Sequence, residues 1–192
     1  MQLVPESHFG SVIWVTGLSG AGKTTLCSNL YERLKPGLPQ LVLLDGDVVR
    51  QAFGNDLTHR EADRIRQVHR LQGMSNVLAR QGLTVIVAVL YNNPDLLKWN
   101  RETIPNYFEI YLKASLDTVE ARDNKGLYEA ARAGRMPDVV GLDIPWHEPA
   151  APDLTVDVDR GRSTPAIAEE IIDRLCDAGC IERPPSLTSF GL

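Results

Sequence analysis

An α/β fold built on a parallel sheet is predicted from three observations. Short apolar runs recur along the 192 residues, helical patterns separate them, and the joins are short. Residues 11–16 (SVIWVT), 41–44 (LVLL), 83–90 (LTVIVAVL) and 107–112 (YFEIYL) are apolar on both faces, and 154–158 (LTVDV) is a weaker fifth. Strands with helices on both sides read this way, because neither face has to meet water.

In chain order, 24–34 is expected to be the helix following the first strand. The stretch 59–81 carries Ile65, Val68, Leu71, Met74 and Leu78 at spacings of three and four, one stripe of a longer helix. Arg60, Arg64, Arg66 and Arg70 belong to its other side. Residues 95–103, 116–122 and 165–177 are also helical in pattern; in the last, Ser163 or Thr164 stands at the cap with Pro165 in the first turn. Between 123 and 152 there are three glycines and four prolines and little strand character. A loop of that length inside a compact domain is usually functional, and a lid is expected here. The sequence predicts one domain over 1–182 and a C-terminal tail over 183–192, where two prolines and no period occur.

Composition narrows the function. Hydrophobic residues at 43% and charged residues at 23% are globular proportions, which argues against a disordered chain. The net charge of −5 argues against a broad nucleic-acid surface while leaving room for a local anion site. No run of 18 apolar residues is present, and MQLVPESHFG does not read as a signal peptide, so the expectation is a cytoplasmic protein without a membrane partner. Cys27, Cys176 and Cys180 are too few for a disulfide framework. Cys176 and Cys180, four apart, are read as packing on one face of the last helix.

Residues 17–24 read GLSGAGKT, a full match to G-x-x-x-x-G-K-[ST], placed where the first strand ends and the first helix opens. In such a loop Gly17, Leu18, Ser19, Gly20, Ala21 and Gly22 turn backbone N–H groups toward phosphate oxygens, with the helix N-terminus behind them. Lys23 reaches the outer phosphates, the Thr24 hydroxyl is a Mg²⁺ ligand, and Thr25 is counted with them among the nucleotide-binding residues. The loop implies a nucleotide but not a reaction. A guanine-reading N-K-x-D is absent, since Asn124-Lys125 is followed by Gly126-Leu127. At the end of the second run, Asp45 and Asp47 flank Gly46. Carboxylates at strand ends beside a phosphate loop can hold hydrated Mg²⁺ or take a hydroxyl proton; a solvated D-G turn is the plainer reading. Arg50, one turn on, suits an anionic acceptor.

GLSGAGKTT, LDGDVVR, RDNKGLYEAAR and VGLDIPWHEP, in this order and spacing, resemble the adenylylsulfate kinases over about residues 10–160. The resemblance implies a P-loop NTPase fold, three-layer α/β/α with a five-stranded parallel sheet and a lid, often homodimeric. It implies ATP and Mg²⁺, a small-molecule nucleotide acceptor, and transfer of the γ-phosphate to a ribose 3′-hydroxyl. It makes residues 17–24 the ATP cradle and Lys23, Asp45 and Asp47 the catalytic set. Thr24 and Asp47 become the metal side, and Arg122 lies at the ATP base. Arg50 and Arg66 become acceptor contacts, and Lys125, Gly126 and Leu127 form a lid over the acceptor. Arg132 and Arg135 are lid charges or solvated surface.

The departures gather on the acceptor side. Arg64 stands for the asparagine of the family's NIRR. VLYNNPDLLKWNRE replaces the FISPYR turn, so Val89, with Leu90 and Tyr91, occupies the place of an aromatic that stacks on adenine. Val139 aligns with the other half of that clamp, and PYEAP becomes PWHEP with Trp146 and His147. Base stacking on an aromatic is worth roughly 1–3 kcal/mol, so both losses together point to a changed base unless Tyr91 or Trp146 compensates. LYNNP-x-LL-x-WNRE and VVGLDIPWHEP resemble a branch acting on cytidine diphosphoramidate, linked to phosphoramidate decoration of bacterial surface polysaccharides. That acceptor is the preferred expectation. The alternatives are a genuine adenylylsulfate kinase, a non-catalytic nucleotide-binding module, and a kinase of an unrelated small metabolite.

Overall fold

The computed structural model describes residues 9–123 and 126–183. Five strands, β1 (Val12–Thr16), β2 (Leu41–Asp45), β3 (Thr84–Val89), β4 (Tyr107–Lys113) and β5 (Leu154–Asp157), form one sheet in the order β2-β3-β1-β4-β5. Every pairing is parallel, with Val12 opposite Val85 on one side and Tyr107 on the other. The central β1 and β3 are buried along their whole length, as their unbroken apolar sequences require.

The helices are α1 (Lys23–Leu34), α2 (Gly46–Ala52), α3 (Glu61–Ala79), α4 (Pro94–Thr103), α5 (Leu116–Ala121), α6 (Leu127–Arg132) and α7 (Thr164–Asp177), with a 3₁₀ turn at Val158–Arg160. The chain leaves β1 toward β2 at one edge and then works back across the sheet. Right-handed crossovers therefore put α1 on one face and α3 and α4 on the other. α7 packs on α1, completing three layers. The same reversal of direction beside β1 leaves a crevice at the carboxyl ends of the strands. Among the described residues no helix is long and apolar enough to cross a membrane.

Three local expectations need correction, and one plainer alternative falls. Asp45-Gly46-Asp47 is not a solvated turn: Gly46 and Asp47 begin α2, and the Asp45 carboxylate accepts hydrogen bonds from the N–H groups of Asp47 (2.9 Å) and Val48 (3.3 Å). The stretch 123–152 is not all loop. Asp123 accepts from the N–H groups of Leu127 and Tyr128 and so starts α6, and a bridge joins Val140 to Ile144. Ser163 occupies the cap position of α7, but its side chain makes no capping bond. Cys176 and Cys180 do not share a helical face, because α7 stops at Asp177 and Gly179 turns the chain with φ 69°. Both thiols are half-buried against the core, and burial pushes Cys180 up to about 11. Of the expected tail, 184–192 lies outside the described residues.

Candidate active site

The site grows from the end of β1. Gly22 sits at the cap of α1 with φ 93°, a left-handed conformation that costs an L side chain about 1–2 kcal/mol. This turn brings Lys23 and Thr24 onto the first turn of α1, facing the crevice. The Lys23 ammonium donates to the carbonyls of Gly17 and Leu18, both at 2.8 Å, which holds the loop closed upon itself. The Thr24 hydroxyl donates to Asp45 Oδ2 at 2.9 Å, joining the end of β2 to the start of α1. Gly46 sits at a close approach: a Cβ there would lie 3.1 Å from the Ala88 carbonyl oxygen of β3, so a side chain would have to push that strand end back by a few tenths of an ångström.

A cavity of about 570 Å³ lies over the loop. Ser19, Gly20, Ala21, Gly22, Lys23, Thr24, Thr25, Asp45, Asp47, Leu90 and Arg122 all line it, and this brings together most of the donor-side residues expected from sequence. Gly17 and Leu18 do not line it; they supply carbonyls to Lys23, and the Leu18 side chain is buried in the core. Arg162, from the turn after β5, and Thr164, the first residue of α7, also reach this cavity and carry no motif that would mark them. Tyr128 of α6 reaches it too, its hydroxyl donating to the Ser19 carbonyl at 2.9 Å.

A second, small cavity of about 40 Å³ is lined by Gly46, Asp47, Arg50, Arg64, Gln67, Val89, Leu90 and Tyr91, among others. Gly46, Asp47 and Leu90 line both cavities, so Asp47 stands at their boundary. Arg50 donates to the carbonyls of Leu57 (2.9 Å) and Thr58 (3.0 Å). Arg64 donates to those of His59 (2.7 Å) and Asp138 (2.8 Å). Burial and the charge of Arg50 lower the Arg64 pKa, and burial with both guanidiniums lowers that of His59. Two cations held by neutral carbonyls make a place for an anion.

The structure does not gather every expected residue. Arg66 points outward and pairs with Asp63 at 3.3 Å; two positions along a helix from Arg64, it is turned away from the cavity. Gln67, unmarked in sequence, takes the place beside Arg64 and donates to the Gly46 carbonyl at 2.9 Å. Trp146 lies against Tyr111 with ring centroids 6.0 Å apart and lines neither cavity. Gly126 and Leu127 begin α6 without lining either, and Lys125 lies outside the described residues. Arg132 pairs with Glu120 and Arg135 with Glu129 at the surface. Val89 and Val139 are both buried.

The donor set suits Mg²⁺. Thr24, Asp45 and Asp47 offer hard oxygens, and among the described residues no group of three or more His, Cys, Asp or Glu could hold a metal. Mg²⁺ bound by one or two protein oxygens, its other positions filled by phosphate and water, needs no more than this. The arrangement can hold a nucleotide's phosphates on the loop and a second anionic molecule beyond Asp47.

The sequence model of the family described as adenylylsulphate kinase matches residues 9–157. A Picosynechococcus relative named adenylyl-sulfate kinase is 36% identical over 174 residues, covering 91% of this chain and 98% of that one. One from Deinococcus deserti with the same name is 41% identical over 151 residues, 79% of this chain and 83% of the relative. The Mycobacterium tuberculosis APS kinase CysC, solved in complex with AMPPNP and APS, is similar at a TM-score of 0.75 and 32% identity, over 87% of this chain and 98% of that one.

Proposed function

The chain belongs to the adenylylsulphate kinase family, and from that membership and the site's geometry we propose that it phosphorylates the ribose 3′-hydroxyl of adenylylsulfate. It is a phosphotransferase with a hydroxyl acceptor, and ATP with Mg²⁺ is its donor. The observation carrying the reading is the place of Asp47, on the boundary between the phosphate-loop cavity and the small cationic cavity.

The loop amides and Lys23 hold the outer phosphates, and Lys23 exchanges its two loop carbonyls for phosphate oxygens when the donor binds. Thr24, with Asp45 and Asp47 at hand, would hold Mg²⁺, which would neutralise charge on the phosphate oxygens. Asp47 orients the acceptor hydroxyl for in-line attack and takes its proton. Arg50 and Arg64 hold the acceptor's anionic group, and Arg122 lies toward the donor base. Residues 123–152, including Lys125, act as a lid that keeps water from the γ-phosphate. A homodimer in the cytoplasm is part of this reading; analytical ultracentrifugation tests the dimer.

A second reading keeps the chemistry and changes the acceptor to cytidine diphosphoramidate. It draws on Val89 and Val139, buried apolar side chains where the family carries stacking rings, and on the small acceptor cavity. The names of the relatives favour adenylylsulfate. The test is a paired turnover assay with Mg·ATP and each acceptor, 3′-phosphorylated product being followed by mass. A higher kcat/KM for adenylylsulfate is expected. Preference for the cytidine compound moves the reading to the second acceptor, and product from neither overturns both.

A further inference from the structure

The small cationic cavity has a feature that the phosphoryl-transfer chemistry does not use. Tyr91, two residues past the end of β3, is 3% exposed, and its hydroxyl donates to Glu61 Oε1 at 2.7 Å. Glu61 is the first residue of α3, three positions before Arg64 on the same helix. Carboxylate and guanidinium at that spacing are neighbours that pair readily. Here they do not: Glu61 goes to Tyr91, and Arg64 goes to two backbone carbonyls. Asp47 and Asp138 act on the Arg64 charge, yet among the described residues neither Arg50 nor Arg64 forms a salt bridge. Glu61 is the acid on α3 itself, three residues from Arg64, that could add a direct ion pair to the influence of Asp47 and Asp138, and a buried phenol in the cavity wall holds it aside. The contact is felt at the phenol as well: burial and the Glu61 carboxylate push Tyr91 up to about 12, so its proton stays available to donate.

We propose that Tyr91 is a positioning residue that keeps the Glu61 carboxylate off Arg64, so that Arg50 and Arg64 together receive the anionic group of the acceptor. This rests on the acceptor reading given above and assigns the tyrosine a role in binding the acceptor, separate from the chemistry. Removing the hydroxyl leaves the ring packed and releases Glu61 to swing onto Arg64, one turn along the helix. The loss is electrostatic, so removing the Glu61 charge as well restores what the first change took away. A ring that mattered only for packing has no such partner.

The experiment compares wild type, Tyr91→Phe, Glu61→Gln and the double variant by two readouts. One is steady-state turnover with adenylylsulfate and ATP. The other is titration with inorganic sulfate in saturating Mg·ADP, read as the rise in each variant's own melting temperature. Tyr91→Phe is expected to raise the acceptor KM and weaken sulfate binding by about two- to fivefold, the range of a partly exposed ion pair, leaving the KM for ATP unchanged. The double variant is expected to return both to wild-type values. Sulfate binding unchanged in Tyr91→Phe, or a double variant as weak as Tyr91→Phe, overturns the proposal, as does a wild type that binds no sulfate beside ADP. If adenylylsulfate is not turned over by the wild type while the sulfate pattern holds, the acceptor reading has failed and this one stands. Turnover without rescue sinks the tyrosine's role alone.

Discussion

Asp45 and Asp47 stand two residues apart and hold different parts of the site. Asp45 spends one oxygen on the N–H groups that open α2 and the other on Thr24, whereas Asp47 lines both cavities. Asp45→Ala is expected to remove a cap worth about 1 kcal/mol and lower the melting temperature by about 2–4 °C for a chain of this length. Asp45→Asn retains an acceptor at the cap and is expected to melt near wild type, which differential scanning calorimetry checks. Asp47→Asn is expected to leave melting unchanged and cut kcat by about 100-fold or more, the scale of a general base. Retention of full turnover removes Asp47 from the chemistry. The phosphate loop was readable because its residues are consecutive and their spacing is itself the mechanism. The arginines of α3 were not: successive residues turn by about 100° around a helix, so Arg64 and Arg66 cannot serve one cavity, and only packing against β3 decides which faces inward.

Helix α2 and the turn after it show what a short element needs from its surroundings. Asp56, in the turn leading to α3, receives both terminal nitrogens of Arg70, at 3.1 and 2.8 Å, and the same guanidinium lies 4.1 Å over the Phe53 ring. The hydrogen bond from Arg70 holds the Asp56 carboxyl below its ordinary value. A lowered acid stabilises the fold above its unfolded pKa, near 4, and that contribution disappears as pH falls through the folded value. Asp56→Asn is therefore expected to melt below wild type above pH 5, with the two curves converging as pH drops below about 4; thermal melts across that range decide it. The longer elements were visible in the sequence to within a residue or two, from their unbroken apolar runs and from spacings of three and four. Helices α2 and α6 were missed, because seven and six residues are too few for a period to register, and their starts, an Asp45 cap for α2 and a left-handed Gly126 for α6, read equally well as turns.

Over the whole molecule, the sheet order makes one crevice out of residues scattered from Ser19 to Ile167. A ligand bound there ties the loop, the end of β2 and the turn after β5 together, so it stabilises the fold as a unit. Mg·AMPPNP at about 100 times its Kd is expected to add about 2.7 kcal/mol, or roughly 5–10 °C of melting temperature. EDTA should remove most of that gain, as should Lys23→Ala; a gain indifferent to both changes sinks the phosphate-loop assignment. By itself the sequence determined the family, the parallel α/β architecture and the donor loop, since each is written in local spacing: two-faced apolar runs, helical periods, and a strand–loop–helix motif whose residues adjoin. The make-up of the small cationic cavity was decided only by tertiary structure. Arg50, Arg64, Gln67 and Tyr91 come from three separate elements, and whether a charge there is open or cancelled depends on which neighbour another side chain reaches.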